Sequence, residues 1–146
     1  MASKPESRFI ARINAQLPLK KVSASAKARK KYGIELHYEK MCNPFRGGTA
    51  DSWYSGNFGD LWVEYKYLER LPLRARVAPQ KLLSPLQLDW LGGRYDEGRN
   101  VAVVIGCPEG GVVLLDRAWE RDIQTFRPVS LPDLVNWILS STVRRK

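Results

Sequence analysis

Gly47-Gly48-Thr49-Ala50-Asp51-Ser52-Trp53-Tyr54-Ser55-Gly56-Asn57-Phe58-Gly59-Asp60-Leu61-Trp62-Val63-Glu64-Tyr65-Lys66-Tyr67 is the stretch that decides the fold. It reads as a strand over Ser52 to Ser55, a glycine-bearing turn from Gly56 to Asp60, and a second strand from Leu61 to Tyr67. Trp62, Val63, Tyr65 and Tyr67 are residues that favour a pleated, half-buried surface. Glu64 and Lys66 stand two apart, so both project to one face of that strand. Asp51 sits where the first strand begins. Charges inside an apolar strand are costly unless they pair or hold a cation. A lone acid on one strand and an acid–ammonium pair on the next therefore mark this hairpin as a candidate site.

The order Ala50-Asp51, then Glu64-Tyr65-Lys66, resembles the PD-(D/E)xK nuclease superfamily. The nearest likeness is to small phage-type and VRR-NUC-like nucleases and to Holliday-junction resolvases. At the level of pattern order it covers residues 6 to 106. Gly47-Gly48 corresponds to the glycine-rich entry of those proteins, and Gln87 to a glutamine on the following helix. Ala50 stands where the family usually has proline, a structural position. The resemblance implies that Asp51 and Glu64 bind a divalent metal, with the Tyr65 carbonyl as a further ligand, and that Lys66 assists the attacking water. It implies Mg²⁺, with Mn²⁺ able to substitute. It also implies a metal-dependent DNA endonuclease, structure-selective on branched or junction DNA. Junction resolution would imply a homodimer acting on two strands, and no dimer surface is legible. The expected location is the cytoplasm, that of the host cell if the chain is phage-encoded.

Phosphodiester hydrolysis needs a water nucleophile, neutralised phosphate charge and help for the leaving oxygen, which a hard cation on carboxylate oxygens supplies. Lys66 would act as a fixed positive charge. Two neighbouring acids oppose the lowered pKa that a neutral, basic lysine requires.

Outward from the hairpin, Pro5 to Leu17 reads as a helix, because Phe9, Ile10, Ile13 and Leu17 recur at helical spacing, and Pro18 ends it. Ser3 with Glu6 forms a capping-box pattern. Glu6 thus has two readings, a cap or the acid that many relatives carry on the first helix. Lys20, Lys21, Lys27, Arg29, Lys30 and Lys31 form a positive run without an acid. It is either a solvated face or a phosphate-tracking arm, mobile without nucleic acid. Ile34 to Met41 alternates as a strand does. His37 and Glu39 lie on its polar face, and Glu39 competes with Glu6 as the extra acid. Arg46, beside two glycines, is a candidate phosphate contact.

Residues 68 to 83 read as a long basic loop. Ser84-Pro85 opens a helix in which Leu88 and Leu91 face the sheet. Gln87 falls on the adjoining face, as a surface amide or as a site residue that orients Lys66 or holds a phosphate. Asn100 to Gly106 is an apolar run suited to a strand buried on both faces, paired through a Pro108-Glu109-Gly110-Gly111 turn with Val112 to Leu115. Leu131 to Leu139 is an amphipathic helix, and 143–146 a basic tail.

These elements predict an α/β domain spanning 1–146, a mixed central sheet flanked by helices. Its 146 residues suffice for one core. Lys plus Arg exceed Asp plus Glu by nine, and the pI of about 9.8 suits a polyanion partner, here DNA. Only His37 could join Cys42 and Cys107, so no zinc site is expected, and a reducing compartment fits. No apolar run approaches ~18 residues, so no membrane partner is expected; nor does the N-terminus read as a signal peptide. The alternatives to a nuclease are a catalytically silent nuclease-fold protein that binds nucleic acid or a protein partner, and a structural protein with surface acids.

Overall fold

The computed structural model describes residues 4–41, 47–71 and 75–144. Its elements in chain order are α1 (Lys4–Ala15), α2 (Ala26–Tyr32), β1 (His37–Lys40), β2 (Ser52–Ser55), β3 (Asp60–Tyr67), α3 (Pro79–Leu82), α4 (Pro85–Asp96), β4 (Val101–Cys107), β5 (Gly110–Leu114) and α5 (Leu131–Thr142), with single 3₁₀ turns at Ser23–Ser25 and Ala118–Glu120. The five strands form one sheet in the order β1-β2-β3-β4-β5. β3 and β4 run parallel, and every other neighbour is antiparallel. The expected mixed sheet with flanking helices is therefore present.

Strand alternation sorts two cores onto the two faces. Val63 and Tyr65 of β3 with Ala102 and Val104 of β4 pack against Phe9, Ile13 and the buried side of α5. Val101, Val103 and Ile105 of β4 pack on the other face against Leu91 of α4 and Trp119. Glu64 pairs in register with Val103, and Lys66 with Ile105. Both charged residues therefore lie on the α4 face, amid the second core.

Two glycines set the distances that matter. A Cβ on Gly106 would lie 2.4 Å from the Phe9 ring, so only glycine lets α1 dock this closely on β4. Glu6 stands one turn before Phe9. Gly48 has φ +101°, and a Cβ there would lie 2.3 Å from the Leu86 carbonyl oxygen. The entry to β2 is thereby pressed against the first turn of α4, the turn that carries Gln87.

Several boundaries differ from the sequence reading. α1 stops at Ala15, before Pro18, and the next strand is only four residues long, because Leu36 is taken by a parallel bridge to Leu19. The loop over 68–83 contains α3, and Val77 bridges Ile123. α5 runs to Thr142, whose carbonyl accepts the Phe58 and Gly59 N–H groups of the β2–β3 turn. The basic tail folds back at Arg144, which exchanges hydrogen bonds with Asn57 and sets its guanidinium 3.9 Å from the Phe58 ring centroid. Ser3, Arg145 and Lys146 lie outside the described residues. Among those described, no helix is long and apolar enough to cross a membrane.

Candidate active site

Asp51 precedes β2, one residue before the first registered pair of the hairpin, Ser52 with Val63. Continuing that register sets Asp51 opposite Glu64. The Asp51 carboxylate fixes itself there by accepting the Tyr65 backbone N–H at Oδ2, 2.9 Å. Glu64 is buried, with its side chain only 4% exposed. Its Oε2 receives Lys66 Nζ at 3.5 Å and the Gln87 side-chain N–H at 3.3 Å.

Gln87 is held from both ends. Its Oε1 accepts the Ser84 backbone N–H, and its own backbone N–H donates to Ser84 Oγ, a complete capping box. The cap that starts α4 thus also aims the amide N–H at Glu64. Gln87 contacts Glu64, from the first turn of α4.

The electrostatics follow from crowding acids in a dry place. Burial pushes the Glu64 carboxyl up from 4.5 to about 8; the Asp51 charge adds to this, and Lys66 opposes it. Asp51 is also raised, first by burial, against the lowering effect of the Tyr65 N–H, Lys66 and a side-chain hydrogen bond with Glu64. Glu6 is raised by burial and by Asp51, and lowered by Lys66. α1 therefore brings Glu6 into the field of the same cluster. Glu39 is elsewhere, exposed and paired with His37 at 3.1 Å. Of the two rival extra acids, Glu6 is the one in the field of Asp51 and Lys66.

Without a cation, two facing carboxyls in this setting retain a proton between them. This donor set suits a hard divalent ion, whose charge would offset both the burial and the mutual repulsion. Among the described residues no three His, Cys, Asp or Glu side chains stand close enough to form a metal cage. An ion would rest on Asp51, Glu64, a backbone carbonyl and waters, the mode that Mg²⁺ favours.

Behind the site Tyr54 and Tyr65 share a hydrogen bond of 2.7 Å between hydroxyls, and Tyr54 donates to Asn14 Oδ1 at 2.8 Å. Burial raises both phenols, which stay neutral and pin α1 to the hairpin. This network was not read from the sequence, though Tyr54 and Tyr65 at inward-facing positions of paired strands were the available signal.

The basic run is helical over Ala26–Tyr32, as its alanine content allows. Ser25 donates to the Asn14 carbonyl at 2.8 Å, Ala28 is buried, and Gly33 closes α2 in the left-handed conformation. Arg29 departs from the phosphate-contact reading: its guanidinium donates to the carbonyls of Leu19 and Val22, so it ties the segment together. Lys20, Lys21, Lys27, Lys30 and Lys31 are exposed. Arg46 and Cys42 lie outside the described residues.

No protein-family model matches the chain, and no curated protein matches it. Among solved structures it is similar to Archaeoglobus fulgidus Hjc, a Holliday junction resolvase from an archaeal hyperthermophile, at 16% identity over 88% of this chain and 92% of that one, with a TM-score of 0.49.

Proposed function

We propose that the protein is a metal-dependent DNA endonuclease of the PD-(D/E)xK type, acting on branched DNA. The observation that carries this reading is the buried Asp51–Glu64 pair, bridged toward Lys66 and Gln87 by one oxygen of Glu64. Purely structural acids are rarely crowded so that one carboxyl must stay protonated near neutral pH, whereas functional sites often are. Mg²⁺, when bound, would supply Lewis acidity at the phosphate and a more acidic water.

The chain's own residues perform the remaining tasks. Asp51 and Glu64 are the cation ligands, and the Tyr65 N–H holds Asp51 in position. Lys66, tethered to Glu64, sets a positive charge where the attacking water and the phosphate oxygens meet. Gln87 fixes the Glu64 rotamer, and Glu6 borders the cluster from α1, positioned to orient a water. Five exposed lysines, Lys20, Lys21, Lys27, Lys30 and Lys31, supply sequence-independent phosphate contacts. A homodimer would be needed to cut two strands of a junction together.

The test is a substrate panel. Linear, nicked and four-way-junction DNA are incubated with the protein in Mg²⁺ or in chelator. Cleavage confined to Mg²⁺ and fastest on the junction is expected. No cleavage of any of the three in Mg²⁺ or Mn²⁺ would refute the enzyme reading and favour a binding protein.

A further inference from the structure

Beside the carboxylates runs an aromatic row that the proposed chemistry does not use. Trp53 and Trp62 are cross-strand partners, stacked with ring centroids 5.5 Å apart and planes 18° apart. Trp62 meets Trp90 of α4 edge to face at 5.5 Å, and the Arg94 guanidinium lies 5.7 Å from the Trp90 ring centroid. All three indoles are half-buried. Trp62 and Trp90 open into a cleft of about 1060 Å³ between the β2–β3 turn and α4. Phe58 and Leu86, two of the most exposed large apolar side chains, line the same cleft at 51% and 57% exposure. Arg94 and Arg99 stand on its wall.

The position of this cleft is what gives it meaning. Trp62 precedes Glu64 by two residues on the same face of β3, about 7 Å along the strand. Trp53 follows Asp51 in the same way on β2. A carboxylate row and an indole row are therefore consecutive rungs of one sheet face. A strand whose phosphate lay at Asp51 and Glu64 would carry its neighbouring base over Trp62. Exposed aromatic faces beside cationic side chains are the chemistry that holds unpaired bases without regard to sequence. Paired bases are stacked inside the duplex and cannot offer their faces. Asp60, which also lines the cleft, is engaged with Trp53 Nε1 and Ser55 Oγ. Asp89 also lines the cleft, and Arg94 on its wall carries an ion pair to Glu97 at 2.9 Å.

We propose that this cleft is a stacking platform for unpaired bases of a single-stranded segment next to the scissile phosphate. The proposal rests on the nuclease reading for the direction of the strand, and it deepens it: a base next to the cut is unpaired, or opened at the branch point of a junction. Stacking on aromatic side chains strengthens binding about tenfold or more per base.

The experiment is done in chelator, where no cutting can occur. Anisotropy compares a labelled oligothymidylate with an abasic strand of equal length and charge, on wild type, Phe58→Ala and Trp90→Leu. Wild type is expected to bind the thymidylate at least tenfold more tightly than the abasic strand, with its indole fluorescence quenched. Each variant is expected to shrink that ratio while leaving abasic binding unchanged. Equal binding of the two strands by wild type would overturn the proposal and assign the cleft to phosphates or to a protein partner. An unchanged ratio in both variants would overturn it as well. Should Trp90→Leu lose its native circular dichroism, Phe58→Ala decides together with the wild-type ratio, with Arg144→Ala measured beside it because the Phe58 ring also holds the Arg144 guanidinium. A protein that shows the ratio yet cuts no DNA would refute the nuclease reading alone. One that cuts but shows no ratio would refute the platform alone.

Discussion

Replacing Glu64 by glutamine should stabilise the metal-free protein at pH 8 and leave it nearly unchanged at pH 5. The Glu64 carboxyl titrates near 4.5 when the chain is unfolded and at about 8 when folded, because burial and then Asp51 disfavour its charge. Between those values the folded state holds a proton that the unfolded state has released. Stability present below pH 4.5 is therefore lost as the pH rises through about 8. The gap of three to four units corresponds to about 5 kcal/mol, and Asp51, also raised, acts in the same direction. For a domain of this size that is a fall in Tm of about 10–20 °C. The substituted glutamine would keep the shape and an acceptor for the Gln87 amide, with no proton to lose. Thermal unfolding of wild type and Glu64→Gln from pH 5 to 9 in chelator measures the difference directly. Added Mg²⁺ should restore wild type at pH 8 and do little for the variant, since a ligand that binds only the folded state stabilises it. Parallel wild-type and variant curves across this range would refute the reasoning.

Other substitutions separate structural from chemical roles. Gln87→Glu retains the capping box but replaces the N–H donated to Glu64 by a carboxylate oxygen; single-turnover cleavage should fall at least tenfold, and normal cleavage would leave Gln87 a cap alone. Glu6→Gln should lower cleavage more than tenfold with helicity intact, while Glu39→Gln, which alters an exposed pair with His37, should be silent. Changing Lys27, Lys30 and Lys31 together to alanine should flatten the salt dependence of DNA binding by about three units without a change in Tm. Arg29→Ala should instead destabilise the fold by about 1–3 kcal/mol, because the Leu19 and Val22 carbonyls lose the guanidinium and only Val22 keeps a second donor, the Ser25 N–H.

The hairpin was legible from its strand formers on either side of a glycine-bearing turn, but its register was not: Asp60, read as part of the turn, begins β3 opposite Ser55, and that one-residue difference is what sets Asp51 opposite Glu64. The Ser84-Pro85 start of α4 was equally plain, and it placed Gln87 one turn into the helix. What eluded the sequence depends on contacts between distant segments. Gly106 gave no sign that it receives the Phe9 ring, and without that contact the reach of Glu6 could not be judged against that of Glu39. Arg29 looked like its lysine neighbours, since a charge run does not show which member folds back onto carbonyls. Trp53 and Trp62 were read as strand formers, and only the register makes them a stacked pair. The hydrogen bond from Gln87 to Glu64 required the Gly48–Leu86 approach, which no local pattern encodes.

The central claim is that Asp51 and Glu64 hold a cation that cuts DNA bound chiefly by other residues. Single-turnover cleavage of a four-way junction in Mg²⁺, with affinity measured in parallel by anisotropy, compares wild type with Asp51→Asn. Wild type is expected to cut only in Mg²⁺, and the variant to cut no faster than in chelator while binding the junction as tightly as wild type or more tightly, because a negative charge has been removed. Wild-type cutting rates in Asp51→Asn would contradict the claim.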